Sequence, residues 1–227
     1  MAAAIYAFDA YGTLFNVHAA VDRHRDAIGA QADRLSELWR AKQLEYTWTR
    51  TLMGAYRDFR VLTAQALDFA AARFGGIDAQ TRAALLAAYE TLDAYPDAKP
   101  CLAALKAQGA RLAILSNGTP AMLEAAIDAA GLNSLFDAVL SVDTLQAFKT
   151  LPRTYELVTA RFQAKPDAVT FLSSNRWDIA GARQFGFRPV WVNRTSQPDE
   201  YPDLSPVKAI KSLAELPGLE TGASPLT

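Results

Sequence analysis

Asp9 follows the apolar run Ile5-Tyr6-Ala7-Phe8 and precedes the glycine-bearing turn Ala10-Tyr11-Gly12-Thr13. Such a run reads as a short buried strand, which sets Asp9 at its carboxyl end, the edge where open α/β sheets bind ligands. Taken alone, an aspartate ahead of a glycine turn is as readily a turn residue or a cap. Later segments repeat the arrangement: Ser116 with Asn117, then Lys149, then Ser173, Ser174 and Asn175 with Asp178 fall at strand ends or in the loops that follow. Each has an ordinary reading of its own as turn residue, solvated lysine or helix cap. Gathered on one rim they make a site in which Asp9 can be a nucleophile, Lys149 can hold it ionised, and hydroxyl and amide groups can bind a second anion.

That rim requires the intervening segments to wind as crossovers. The pattern predicts a helix over Leu102–Ala107, a strand over Arg111–Leu115, and a helix over Ala121–Ala130 with Thr119 as cap and Pro120 at its first position. A strand over Phe136–Val142, a helix over Pro152–Phe162 and a strand over Val169–Leu172 follow. Then come a helix over Trp177–Phe185, a strand over Pro189–Val192 and a last short strand or helix near Ile210–Leu216. Strands alternating with helices imply a parallel sheet of right-handed crossovers, which brings the carboxyl ends to one edge. Between Ala19 and Leu92, in contrast, apolar residues recur at three- and four-residue steps with no strand pattern. About four helices are expected there, with breaks near Ile28-Gly29, from Gly54 to Asp58, and at Gly75-Gly76-Ile77-Asp78, where Asp78 caps the next helix. Pro96 ends the block. The expected fold is α/β: a Rossmann-like parallel sheet core, residues 1–16 and 97–227, with helices on both faces, and a helical-bundle cap, residues 17–96, inserted after the first strand.

With 227 residues, 51% of them hydrophobic, the chain can bury a sizeable core. Its 23 Lys and Arg nearly balance 24 Asp and Glu, so no net field draws it to nucleic acid or a membrane, and a small-molecule partner is expected. Cys101 is the only cysteine and has no nearby His, which makes an internal disulfide impossible and reads as a packing residue in a reducing compartment. No run approaches the roughly 18 apolar residues of a membrane span, and Met1–Ile5 carries no basic region, so a cytoplasmic location is expected.

The order of these segments resembles the haloacid dehalogenase superfamily and, within it, the (S)-2-haloacid (L-2-haloacid) dehalogenases. The resemblance is carried by Phe8-Asp9-Ala10-Tyr11-Gly12-Thr13-Leu14-Phe15, by Trp39-Arg40-Ala41-Lys42-Gln43-Leu44-Glu45-Tyr46, and by Ala113-Ile114-Leu115-Ser116-Asn117-Gly118. Lys149 with Tyr155, and Ser173-Ser174-Asn175-Arg176-Trp177-Asp178, complete it. It implies that Asp9 displaces halide from a short 2-haloacid, and that water then attacks the Asp9 ester and releases a 2-hydroxyacid inverted at carbon. By the same resemblance Arg40 and Asn117 receive the halide, while Ser116 and its turn amides bind the carboxylate. Thr13, Ser173 and Tyr155 orient Asp9 and Lys149, and Asn175 and Asp178 position the water. Tyr11, Gln43, Leu44, Phe59 and Trp177 wall the alkyl group. It further implies no cofactor, no metal and a homodimer.

Two positions depart from the superfamily's phosphatase pattern. Tyr11 stands where phosphatases carry a second Asp for the leaving alcohol, which a departing halide does not need, and Ser174 stands where they carry an acid for magnesium. The rival expectations are a magnesium-dependent small-molecule phosphatase and a catalytically silent homologue. The second is motivated by Leu151, which cannot cap the helix begun by Pro152 unless Thr150 compensates, and by Arg176, expected beside the pocket as a second cation or a narrowing of the entrance.

Overall fold

The structure is a computed structural model and describes residues 3–219. β1 (Ile5–Phe8) is buried along its whole length and pairs in parallel with β2 (Arg111–Ser116) on one side and β4 (Val169–Ser173) on the other. A strand covered on both faces needs no polar alternation, which accounts for its continuous apolar run. β3 (Ala138–Ser141) lies outside β2, while β5 (Arg188–Val192) and β6 (Lys208–Ile210) lie outside β4. The described sheet is wholly parallel in the order β3-β2-β1-β4-β5-β6. The chain runs outward from β1 to β3, then returns to β4 on the other side. That reversal is the switch point where open α/β sheets leave a crevice, and Asp9 sits on it.

Helices join the strands. α6 (Ala98–Ala107) begins earlier than Leu102, because Pro100 falls in its first turn, where no intrahelical N–H is needed. α7 (Pro120–Ala129) is capped as expected, the Thr119 hydroxyl accepting from the Met122 amide at 3.3 Å. β3 is shorter than Phe136–Val142: the Asp137 carboxylate turns back onto the Leu112 amide at 2.6 Å, and Val142 opens a 3-10 turn. α8 (Pro152–Phe162) and α9 (Arg176–Phe185) complete the set, and the tail carries both β6 and a 3-10 segment over Leu213–Gly218. Cys101 packs in the core, where burial pushes its thiol up to about 12.

The segment between β1 and α6 holds α1 (Ala19–Asp22), α2 (Arg25–Ile28), α3 (Ala32–Met53), α4 (Phe59–Arg73) and α5 (Ala79–Glu90). A break at Arg23-His24, absent from the expectation, accounts for the extra short helix. Asp58 and Asp78 cap α4 and α5, accepting from Val61 N at 2.8 Å and Thr81 N at 2.7 Å. The segments leading out and back run side by side, joined by Asn16 N to Asp93 O and Tyr95 N to Leu14 O, both 2.8 Å. Residues 1, 2 and 220–227, which the expected core includes, lie outside the described residues. No described helix is long and apolar enough to cross a membrane.

Candidate active site

Asp9 is held at the end of β1 by its own amide, which donates to Leu172 O on β4 at 2.8 Å and extends the ladder one residue beyond the strand. Its two carboxylate oxygens have different surroundings. Oδ2 accepts from Thr13 Oγ1 at 3.0 Å, Asn175 Nδ2 at 2.9 Å and, more weakly, Ser173 Oγ at 3.4 Å. Among the described residues, Oδ1 accepts from Lys149 Nζ alone, at 3.1 Å. Thr13 is itself fixed by the Ser174 amide at 2.8 Å, and the Ser174 hydroxyl donates to Gly12 O at 2.7 Å. Gly12 turns the chain there at φ +93°, a conformation in which a side chain would be strained.

Lys149 is fully buried and lies between two carboxylates, donating to Asp178 Oδ2 at 2.8 Å as well as to Asp9. Burial disfavours its charge, but attraction to Asp178 and Asp9 prevails and raises its pKa. Asp178 is pushed up to about 6: burial is the main cause, Lys149 opposes it and Asp9 adds to it. The Tyr155 hydroxyl donates to Asp178 Oδ1 at 2.8 Å, so it orients the lysine through that carboxylate and touches neither Asp9 nor Lys149 directly. Asn117 Oδ1 accepts from the Lys149 amide at 3.0 Å, which leaves its Nδ2 to donate elsewhere. Ser116 Oγ accepts from Gly118 N at 3.1 Å and keeps its own proton to give.

Arg40 reaches this cluster from α3. One terminal nitrogen donates to Tyr11 O at 3.0 Å and Asn175 Oδ1 at 3.3 Å, and the other donates to Gln43 Oε1 at 2.8 Å. Asn175 therefore links the guanidinium to the Asp9 carboxylate through one amide group. The cluster thus holds two carboxylates, one ammonium and one guanidinium. Around it, Phe59 packs on the Tyr11 ring at 5.4 Å, and Trp177 meets Trp48 edge-on at 5.4 Å. Leu44 is half-buried one helical turn beyond Arg40 and joins no polar contact of the cluster.

These neighbours bring a carboxylate, its ammonium partner and an arginine into one hydrogen-bonded cluster. The family model for haloacid dehalogenase-like hydrolases matches residues 4–186. The chain belongs to this family. It is 49% identical to (S)-2-haloacid dehalogenase 1 of Pseudomonas sp. (strain CBS-3), covering 93% of this chain and 94% of that one. It is 48% identical to (S)-2-haloacid dehalogenase 4A of Burkholderia cepacia, over 92% and 91% of the two chains. Its structure matches that of L-2-haloacid dehalogenase from Xanthobacter autotrophicus with chloropropionic acid covalently bound, at a TM-score of 0.90 and 37% identity, covering 98% and 100% of the chains.

In this haloacid dehalogenase-like hydrolase several supporting residues were not among the expected ones. Tyr89 donates to Gln43 Oε1 at 3.1 Å and Gln43 Nε2 donates to Thr63 Oγ1 at 2.6 Å, so Tyr89 and Thr63 aim the glutamine that steadies Arg40. Gly181 brings α9 against α8: a Cβ there would collide with the Tyr155 hydroxyl. Two expectations are corrected. Arg176 adds no cation to the pocket, because its Nε donates to Asp199 at 2.6 Å, its Nη2 to Tyr201 O at 2.9 Å, and its guanidinium lies near the Trp191 and Tyr201 rings. Thr150 makes no side-chain hydrogen bond among the described residues. At the start of α8 the Leu151 carbonyl instead accepts from Thr154 N at 2.9 Å and Thr154 Oγ1 at 2.6 Å, while Pro152 has no N–H to satisfy.

Proposed function

We propose that the protein hydrolyses short L-2-haloacids to 2-hydroxyacids with inversion at carbon, through an ester on Asp9. The observation that carries this is the unequal treatment of the Asp9 oxygens. Oδ1, with one donor, keeps a lone pair for in-line attack on the halogen-bearing carbon. Oδ2 then becomes the ester carbonyl, already cradled by Thr13, Asn175 and Ser173. When water attacks, those donors receive the developing oxyanion.

Arg40 and the Asn117 amide take the halide, since a cation and a polarised N–H are what a departing monoanion needs. Ser116 and its turn bind the substrate carboxylate. Asp178, above its pKa of about 6, is ionised beside Lys149, and with Asn175 it orients the attacking water. Residues 17–96 act as the cap that carries Arg40, Gln43, Leu44 and Phe59 over a core of residues 1–16 and 97–227. Exposed Leu52 and Met53, 85% and 66% accessible at the end of α3, support a homodimer. The lone Cys101 supports a cytoplasmic, reducing compartment.

A phosphatase reading has less support. Magnesium sites are built from several oxygen anions, and no group of three His, Cys, Asp or Glu is arranged to hold a metal among the described residues. Asp9 and Asp178 already share an ammonium, and Ser174 is turned onto Gly12 O. The test is halide release from both enantiomers of 2-chloropropionate with a chelator present. Release from the L form alone, as D-lactate, is expected. Phosphate-ester hydrolysis that stops with chelator would replace this reading.

A further inference from the structure

Three buried side-chain atoms have no hydrogen-bond partner among the described residues: Arg176 Nη1, Arg194 Nε and Tyr11 Oη. Both arginines are paired through their other nitrogens, whereas the hydroxyl is the only polar atom on the Tyr11 side chain. A buried hydroxyl without a partner is costly, so a native one calls for a reason.

The ring cannot swing to find a partner. It stacks on Tyr89 at 5.6 Å and 13°, and packs against Phe59 at 5.4 Å and Phe15 at 6.5 Å. Its hydroxyl lies instead against the turn that follows β2. A Cβ on Gly118 would fall 3.0 Å from that oxygen and 2.7 Å from the ring edge, so the phenol reaches the turn only because residue 118 has no side chain. On its other side the same residue is fixed to the nucleophile's cluster, its carbonyl accepting from Arg40 at 3.0 Å and Asn175 at 3.3 Å. Burial first, then Tyr89 and Glu90, hold the phenol far above its ordinary pKa, so it remains a neutral donor.

We propose that the Tyr11 hydroxyl donates a hydrogen bond to the carboxylate of the bound 2-haloacid and of its 2-hydroxyacid product. This assignment rests on the dehalogenase reading of the site. The carboxylate is the acceptor because the turn touched by the phenol carries Ser116, whose own proton is free to be given to the same group, while the halide has its cation in Arg40. Tyr11 is thereby a binding donor and not only an apolar wall.

The test is Tyr11→Phe, which removes one oxygen and leaves the ring stack. Dissociation constants for both enantiomers of 2-hydroxypropionate are measured by calorimetry on wild type and variant. KM is measured for 2-chloro- and 2-bromopropionate, and Tm without ligand. The expected result is a dissociation constant about tenfold weaker for the product enantiomer. KM rises by a similar factor for both halogens, and the ligand-free Tm is equal or higher, since an unpartnered buried hydroxyl has gone. Equal dissociation constants overturn the proposal. So does a KM effect that differs between chloride and bromide, which would put the donor on the halide, and so does a lower Tm, which would give the hydroxyl a structural partner. Halide release by the wild type is read separately: its absence beside a tenfold affinity ratio sinks the dehalogenase reading and leaves the carboxylate donor standing.

Discussion

Asp178 holds the Lys149 ammonium at 2.8 Å, closer than the 3.1 Å at which that ammonium meets Asp9. The lysine is thus anchored on Asp178 and leans on Asp9, the carboxylate proposed to attack. Lys149→Met removes the cation from between two buried carboxylates. The expected loss is about 3–5 kcal/mol of stability, read by urea denaturation, because breaking a buried pair leaves charge without compensation. Halide release should be lost with it. Near-normal stability would mean the two carboxylates do not depend on this ammonium.

The pH dependence follows from Asp178, raised from 3.8 to about 6 chiefly by burial. Between those values the native protein holds a proton that the unfolded chain has released, so the stability owed to this group falls as pH rises across that window. Activity runs the other way, since the ionised carboxylate predominates above about pH 6, and kcat/KM should decline below it. Tyr155 favours the ionised form through its hydrogen bond. Tyr155→Phe should therefore move the acid limb of the pH–rate profile upward. An unmoved limb would separate Tyr155 from the titrating group.

Arg40 makes three directed contacts through two terminal nitrogens, which a lysine cannot reproduce. Arg40→Lys keeps the charge and loses the fork. Halide release is expected to fall roughly 100-fold, with Asn175 left less well fixed on Asp9. A loss under threefold would show that charge alone receives the halide.

Arg176 gives a contrasting outcome, because its guanidinium is directed to Asp199 and Tyr201. Arg176→Met should leave the KM for 2-chloropropionate within about twofold and lower stability by about 1–2 kcal/mol through lost packing and hydrogen bonds. A large rise in KM would restore it to the pocket entrance.

Much of this cluster is legible in the sequence, for a physical reason. In a parallel sheet, chemistry stands where apolar runs stop: Asp9 follows β1, Ser116 and Ser173 end β2 and β4, and Lys149 lies in the longer loop after β3. What stayed hidden is set by tertiary contact. Tyr89 reads as one more apolar step on α5, and its bond to Gln43 joins residues 46 apart. Arg176 was misplaced because sequence gives its position at the start of α9 but not its rotamer, which turns it to the β5–β6 connection. Tyr155, expected to orient Asp9 and Lys149, has Asp178 as its hydrogen-bond partner, a contact across 23 residues that spacing does not reveal. The ends of β3 and α6 depend on an Asp137 side-chain bond and a tolerated proline, which hydrophobic periodicity does not register.

The ester on Asp9 is tested most directly by a single turnover of excess enzyme on L-2-chloropropionate in oxygen-18 water. The first 2-hydroxypropionate formed is expected to carry unlabelled oxygen at carbon 2, and mass spectrometry is expected to find the label in the peptide containing Asp9. Label in the product hydroxyl after one turnover, with Asp9 unlabelled, would show water attacking the substrate carbon directly and would contradict the Asp9 ester.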